Sequence, residues 1–330
     1  MRRRMSILCI DIGGTKANGC VIDREAPQRR RHAFTVPSQA GDLAALLRRI
    51  LATLPERPRA AALAVPGPVI AGTAVMSNLG WREDERAVAA ATGLERVVFA
   101  NDLVATAHGL DAVAPERIDT IHPGAAGTPA GDGDIRALVA PGTGLGAAFS
   151  IRVGGAWRAF ASEGGHAGFA PRTPEQADLW RFAQARAGAV MLQTLTSGRG
   201  IALIHAWLAA RGEAADTPEA AAAIAAAGDP SAAVCAHAAT SPRCARALAV
   251  FAELVALECG DCALRLIPTG GVWLCGGLPA RLPAFFAGPA FRAAYLGHGD
   301  LPHLVAMVPV RLVRDADTAL YGACALGSTL

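Results

Sequence analysis

Apolar positions along this chain come in short runs cut by acids and glycines, and their spacing predicts an alternation of strands and helices. Ser6 to Ile10 is apolar after its first residue, as a strand buried on both faces would be. It runs into Asp11-Ile12-Gly13-Gly14-Thr15-Lys16, and the chain stays strand-like through Asp23 and again from His32 to Val36. That is a meander, not the strand–helix unit that opens a dinucleotide fold. Asp42 to Leu54 has helical spacing, and Ala60 to Val65 is a further apolar strand closed by Pro66-Gly67-Pro68. Val97 to Ala100 predicts a short buried strand, and the residues from Leu103 to Leu110 a helix. Asn101 stands where an N-cap is favoured. Asp102 therefore falls at a strand's carboxyl end and in a helix's first turn.

The second half repeats the theme. Thr120 to Asp134 is rich in Gly, Ala and Pro and reads as a loop near a domain change. Ile135 to Ala140 is a strand, followed by Pro141-Gly142-Thr143-Gly144-Leu145-Gly146-Ala147. Gly142, Gly144 and Ala147 almost fit a dinucleotide fingerprint, but residues 148 to 153 continue as a strand, so the required strand–turn–helix context fails. Helical, Ala-rich sequence covers Thr173 to Gly188, Val190 to Thr196, Gly198 to Arg211, Pro218 to Ala227 and a long stretch from Ser231 to Leu266. Gly270 to Gly277 is a strand between paired glycines, with a helix from Leu278 to Phe286. Val308 to Val313 predicts a late strand, and Asp317 to Leu326 a final helix. The two halves share an order of strand, glycine turn, strand and helix, which suits a duplicated domain.

Composition narrows the class. At 330 residues the chain has room for two domains of roughly 150 residues each. Hydrophobic residues make up 52%, enough to build large cores. A net charge of +3 supplies no strong field for nucleic acid or membrane. The basic run Gln28 to His32 reads as a solvated loop or hairpin end. Met1 to Met5 resembles the start of a signal peptide, but the apolar run that follows stops at Asp11, too short for one. Nothing approaches the ~18 apolar residues of a membrane-spanning helix. Of eight cysteines, Cys9, Cys20 and Cys275 lie in apolar settings, and Cys259 and Cys262 form a lone CxxC inside a helical pattern, where packing explains them better than a metal. The expectation is a cytoplasmic protein with reduced thiols.

Candidate chemistry gathers at the strand ends. Asp11 with Gly13, Gly14 and Thr15 suits phosphate: glycines let backbone N–H groups approach an anion, Thr15 adds a hydroxyl, and Asp11 can hold a cation through water. A ligand-free hairpin turn fits the same residues. Gly142, Thr143 and Gly144 form a second such turn. Asp102 lies at the strand edge where ligands bind in open α/β sheets, and a carboxylate there can accept a hydroxyl proton; a plain helix cap is the other reading. Asn78 lies in a polar loop with Trp81. Glu163 and His166 share a glycine-bearing loop and suit a polyhydroxylated ligand. Gly276-Gly277 would let a flat ring approach the backbone.

Together, Asp11-Ile12-Gly13-Gly14-Thr15, Asn101-Asp102, Gly142-Thr143-Gly144-Leu145-Gly146, Ser162-Glu163-Gly164-Gly165-His166, Phe169-Ala170-Pro171 and Gly276-Gly277 resemble the bacterial glucokinase family in order and spacing. The resemblance runs from about residue 6 to 326 of the sequence. It implies an α/β chain with the two-domain actin-like ATPase (ribonuclease H-like) fold and a cleft between domains. Residues 1–110 plus 313–330 would form the small domain and 111–312 the large one. It further implies ATP-dependent phosphorylation of the glucose 6-hydroxyl, with Asp102 as general base. Asn101, Glu163 and His166 would bind sugar hydroxyls, with Asn78 nearby. Asp11 would anchor Mg²⁺. Gly13, Gly14, Thr15, Gly142, Thr143 and Gly144 would hold the phosphates, and Gly276 and Gly277 would border adenosine. The partners implied are glucose and ATP, with a homodimer as the assembly. The chain lacks the Cys-rich zinc segment of the related repressor/open-reading-frame/kinase (ROK) proteins and their helix-turn-helix.

One departure bears on the substrate. The family usually carries a second sugar-binding Glu before the Ser-Gly turn, and here that position is Gln193, before Gly198. Gln still donates and accepts, but charge-assisted bonds contribute about 1.5–3 kcal/mol against about 0.5–1.5 for neutral ones. Glucose affinity weaker by up to about tenfold, or an altered epimer preference, follows. A kinase for mannose or an amino sugar, and a non-catalytic sugar sensor, are the alternatives.

Overall fold

The computed structural model describes residues 5–125 and 133–330. Met1 to Arg4, and residues 126–132 of the expected Thr120–Asp134 loop, lie outside it. The chain divides into two compact units: residues 1–115, 148–161 and 315–330, and residues 116–147 and 162–314.

The first unit is built on a five-stranded sheet. Its strands are β1 (Ser6–Ile12), β2 (Lys16–Asp23), β3 (Ala26–Pro37) and β4 (Ala60–Val65), then, past a small antiparallel sheet of β5 (Val69–Ile70), β6 (Thr73–Met76) and β7 (Trp81–Asp84), β8 (Arg96–Asn101). The order is β3-β2-β1-β4-β8. β1, β2 and β3 run antiparallel as the predicted meander, while β4 and β8 join parallel. β1 is apolar from Ile7 to Ile10 because both its faces are covered. Leu8, Ile10 and Ile12 pack with Leu46, Leu47 and Ile50 of helix Leu43–Thr53. Ile7 and Cys9 pack on the other face with Ala105, Leu320 and Ala323. The basic run Gln28–His32 is not a loop but lies in β3 near the turn of the β2–β3 hairpin, at the sheet's edge and exposed. Charged side chains on such an edge discourage strand-to-strand association.

Helices Asp102–Gly109 and Thr318–Gly327 meet backbone to backbone. A Cβ on Gly109 would lie 1.9 Å from the Thr318 carbonyl oxygen, and one on Gly322 only 1.7 Å from that of Ala105. No side chain fits there, so glycine at both positions sets the approach and fixes the helix that Asp102 begins.

Strands β9 (Ile118–His122), β10 (Ile135–Pro141), β11 (Leu145–Val153), β12 (Ala156–Ser162), β13 (Val272–Leu274) and β14 (Val310–Val313) form a sheet in the order β12-β11-β10-β13-β14-β9. β10, β13 and β14 are parallel neighbours, and β9 closes antiparallel on β14. The expected loop from Thr120 thus begins inside a strand. The long helical stretch from Ser231 is two helices, Pro230–Ala236 and Pro242–Leu266. Pro242 cannot continue a helix but suits the first turn of one, and the Ser241 side chain caps the second helix through Cys244 N. Helix Leu192–Leu195 is shorter than its pattern predicts. The core beneath holds Trp207 and the edge-packed rings of Phe251, Phe286 and Phe291. Cys259 and Cys262 are buried on the Pro242–Leu266 helix, and all eight cysteines are free thiols.

Candidate active site

In the first unit the site residues hang on the ends of β1 and β8. β8 ends at Asn101, whose side-chain oxygen accepts from Leu103 N at 3.0 Å and Val104 N at 3.3 Å. This is the predicted N-cap. The Asn101 amide also donates to the Gly67 carbonyl at 3.1 Å, tying the end of β8 to the turn after β4. One amide hydrogen is left for a ligand. Asp102 follows in the first helical turn, half-buried, with Oδ1 accepting from Leu103 N at 2.9 Å.

Asp11 sits at the far end of β1, paired across the strand with Asn18. Burial, with the charges of Asp102 and Asp317, pushes its carboxyl up to about 7, against a lowering by Lys16. Three acids thus converge electrostatically on one spot. Asp317, which precedes helix Thr318–Gly327, is the member that the sequence reading missed; its signal was only an acid before a helix. After Asp11 the chain turns through Gly13, Gly14 and Thr15, closed by Gly13 N donating to Lys16 O at 2.9 Å. Gly14 and Thr15 are exposed. Asn78 is exposed on the turn between β6 and β7.

In the second unit the turn between β10 and β11 carries Gly142, Thr143 and Gly144, with Gly142 N donating to Gly144 O at 2.8 Å. Gly198 N, at the start of helix Gly198–Ala210, donates to Gly142 O at 2.8 Å. Gln193 also borders this turn: a Cβ on residue 144 would come within 2.9 Å of its Oε1. Glu163 and His166 lie on one tight turn, His166 N donating to Glu163 O at 2.9 Å, and their side chains meet at 3.4 Å. Both are exposed. Leu192 N donates to Ala167 O at 2.8 Å, which holds Gln193 beside the Glu163–His166 loop.

Gly142, Thr143, Gly198 and Gly277 open into a cavity of about 540 Å³ in this unit, lined also by Arg199, Asp229, Cys235, Leu278, Arg281 and Leu282. Gly276, before it, has φ of +90° and its Cβ would crowd Pro141 O at 3.1 Å. The pattern showed the glycines; the cavity's remaining wall comes from helices distant in sequence.

His205, Asp216 and Cys244 present donor atoms within 4.8 Å of one another. The Asp216 carboxylate is already bonded to Arg243 at 2.7 Å and Ser241 at 2.7 Å. That cluster ties helix Gly198–Ala210 to the start of the Pro242–Leu266 helix, and the guanidinium opposes a cation there.

Residues 8–329 match the family model described as Glucokinase. A glucokinase of Chromobacterium violaceum is 34% identical over 265 residues, 80% of this chain and 73% of its own. A glucokinase structure from an Antarctic psychrotroph superposes with a TM-score of 0.80 at 29% identity, covering 98% of this chain and 99% of that one. A ROK family glucokinase of Streptomyces griseus, in complex with glucose and AMPPNP, shares the fold at a TM-score of 0.66 and 20% identity, covering 98% and 100%. The fold is that of the actin-like two-domain ATPases. Sequence match, fold and the two glycine turns agree, and this chain belongs to the glucokinase family of glucose-phosphorylating enzymes.

Proposed function

We propose that this chain transfers the γ-phosphoryl of Mg-ATP to the 6-hydroxyl of glucose, giving glucose 6-phosphate and ADP, with Asp102 as general base. The observation that carries this reading is the position of Asp102, held by the Asn101 cap at the carboxyl end of β8 and electrostatically coupled to a second acid, Asp11. The hydroxyl proton goes to the Asp102 carboxylate as the oxygen attacks phosphorus and the bond to the ADP oxygen breaks. A base so placed contributes about 10²–10⁴-fold.

The other residues bind and orient. Asn101 has one amide hydrogen for a sugar oxygen. Glu163 accepts and His166 donates or accepts, and Gln193 adds a neutral amide beside them; Asn78 completes the set. Gly13, Gly14 and Thr15 on one turn, and Gly142, Thr143 and Gly144 on the other, offer N–H and hydroxyl groups to phosphate oxygens, positioning the γ-phosphoryl in line. Gly276 and Gly277 border the nucleoside. The cluster at Asp11 fits a divalent cation, because a carboxyl pressed by two neighbouring acids gains by a positive charge. Mg²⁺ there, through water, would neutralise charge on the phosphates. Glucose and AMPPNP, held by the Streptomyces griseus neighbour, are the ligand pair this reading calls for. No helix among the described residues is long and apolar enough to cross a membrane. With its free thiols this supports a cytoplasmic enzyme, and a homodimer is the assembly expected of the family.

Gln193 favours a second reading, a kinase for another hexose such as mannose or an amino sugar, since the charge that would grip one glucose hydroxyl is missing. A coupled ADP-release assay with Mg-ATP and glucose, mannose, fructose and glucosamine separates them. The highest kcat/KM on glucose supports the first reading. Turnover mainly on another sugar supports the second, and binding of sugar without ADP release points to a sensor.

A further inference from the structure

The second unit's cavity is lined by both apolar and polar groups. Ala232, Cys235, Leu278 and Leu282 contribute apolar side chains, and Gly142, Thr143, Gly198 and Arg199 contribute polar groups at the glycine turn. Arg199 is the second residue of helix Gly198–Ala210, so its backbone is fixed against the glycine turn by the 2.8 Å bond from Gly198 N to Gly142 O. Its side chain is exposed and makes no hydrogen bond or ion pair among the described residues. Of the cavity's other charged groups, Arg281 is tethered through Nε to Gly277 O at 3.0 Å, and Asp229 caps a helix through Ser231 N and Ala232 N. An uncommitted guanidinium beside a glycine turn, lining a cavity of nucleotide size, is matched to a phosphate chain.

We infer that Arg199 binds the phosphate chain of the nucleotide, with the base against the cavity's apolar side chains. This deepens the reading above by assigning a side chain to the phosphates beyond the two glycine turns. Arg199 touches phosphate and not sugar, so its removal weakens nucleotides in proportion to their phosphates.

Calorimetric titration of the full chain with ADP and with adenosine, without sugar, tests this independently of turnover. For Arg199→Ala the ADP Kd rises tenfold or more and the adenosine Kd stays within twofold, while Arg199→Lys loses less than Arg199→Ala. In assays the KM for ATP rises and the KM for glucose does not. Equal ADP binding by wild type and Arg199→Ala, equal weakening of ADP and adenosine, or no ADP binding by the folded wild type would overturn the assignment. An Arg199-dependent ADP site in a chain that phosphorylates no sugar would sink the kinase reading and leave this one standing.

Discussion

The Asn101 amide donates to the Gly67 carbonyl at 3.1 Å while its oxygen caps the helix that begins with Asp102. One side chain thereby sets three things: the end of β8, the turn after β4 and the orientation of the next residue. Asn101→Ala removes the cap, at about 1 kcal/mol, together with the tie to Gly67. Thermal unfolding should show a Tm lowered by a few degrees, and kcat should fall with it. An unchanged Tm would mean that the cap contributes nothing.

Asp11 carries a pH signature. Its folded carboxyl titrates at about 7, against 3.8 as the ordinary value. A raised acid binds more protons folded than unfolded, so its contribution to stability falls as pH rises through that window and is constant above it. Asp11→Asn should match the wild type in Tm near the bottom of the window and exceed it at about pH 8 without Mg²⁺. Differential scanning calorimetry in chelator checks this; a variant less stable than wild type at the higher pH contradicts it.

Close helix packing gives a third expectation. A Cβ on Gly322 would lie 1.7 Å from the Ala105 carbonyl oxygen, and overpacking of this kind costs about 1–3 kcal/mol. Gly322→Ala should lower the denaturation midpoint and, by moving the helix that starts at Asp102, lower kcat as well. Chemical denaturation alongside kinetics reads both, and full activity in the variant would separate the helix contact from the base's position.

Much of this was legible in the sequence, and the failures have physical causes. β1 and β4 could be read because both faces are buried and their central positions are apolar, and Asn101 because a cap residue between a strand and a helix has a local reason to be there. The break at Pro242 was legible in principle, but the Ala-rich periodicity on both sides of it masked the division. The basic run in β3 misled because an exposed edge strand has the composition of a loop. Asp317 and Arg199 were hard to read locally: the fold sets them near Asp11 and Gly142, and an acid before a helix or an Arg after a Ser-Gly turn does not by itself mark either.

Gln193 lies where the Gly142–Gly144 turn and the Glu163–His166 loop are both within reach. Gln193→Glu restores a charged acceptor and should lower the KM for glucose by up to about tenfold, the worth of one charge-assisted bond over a neutral one. Steady-state kinetics with glucose varied at saturating Mg-ATP decides it. An unchanged KM would place the sugar contacts elsewhere.

The central claim is that Asp102 takes the proton of the attacking hydroxyl. The most direct measurement pairs turnover with glucose binding in Asp102→Ala. The account predicts glucose affinity by calorimetry within about tenfold of wild type, and ADP release slowed by about 10²–10⁴-fold. Turnover equal to wild type in a folded Asp102→Ala protein would contradict it.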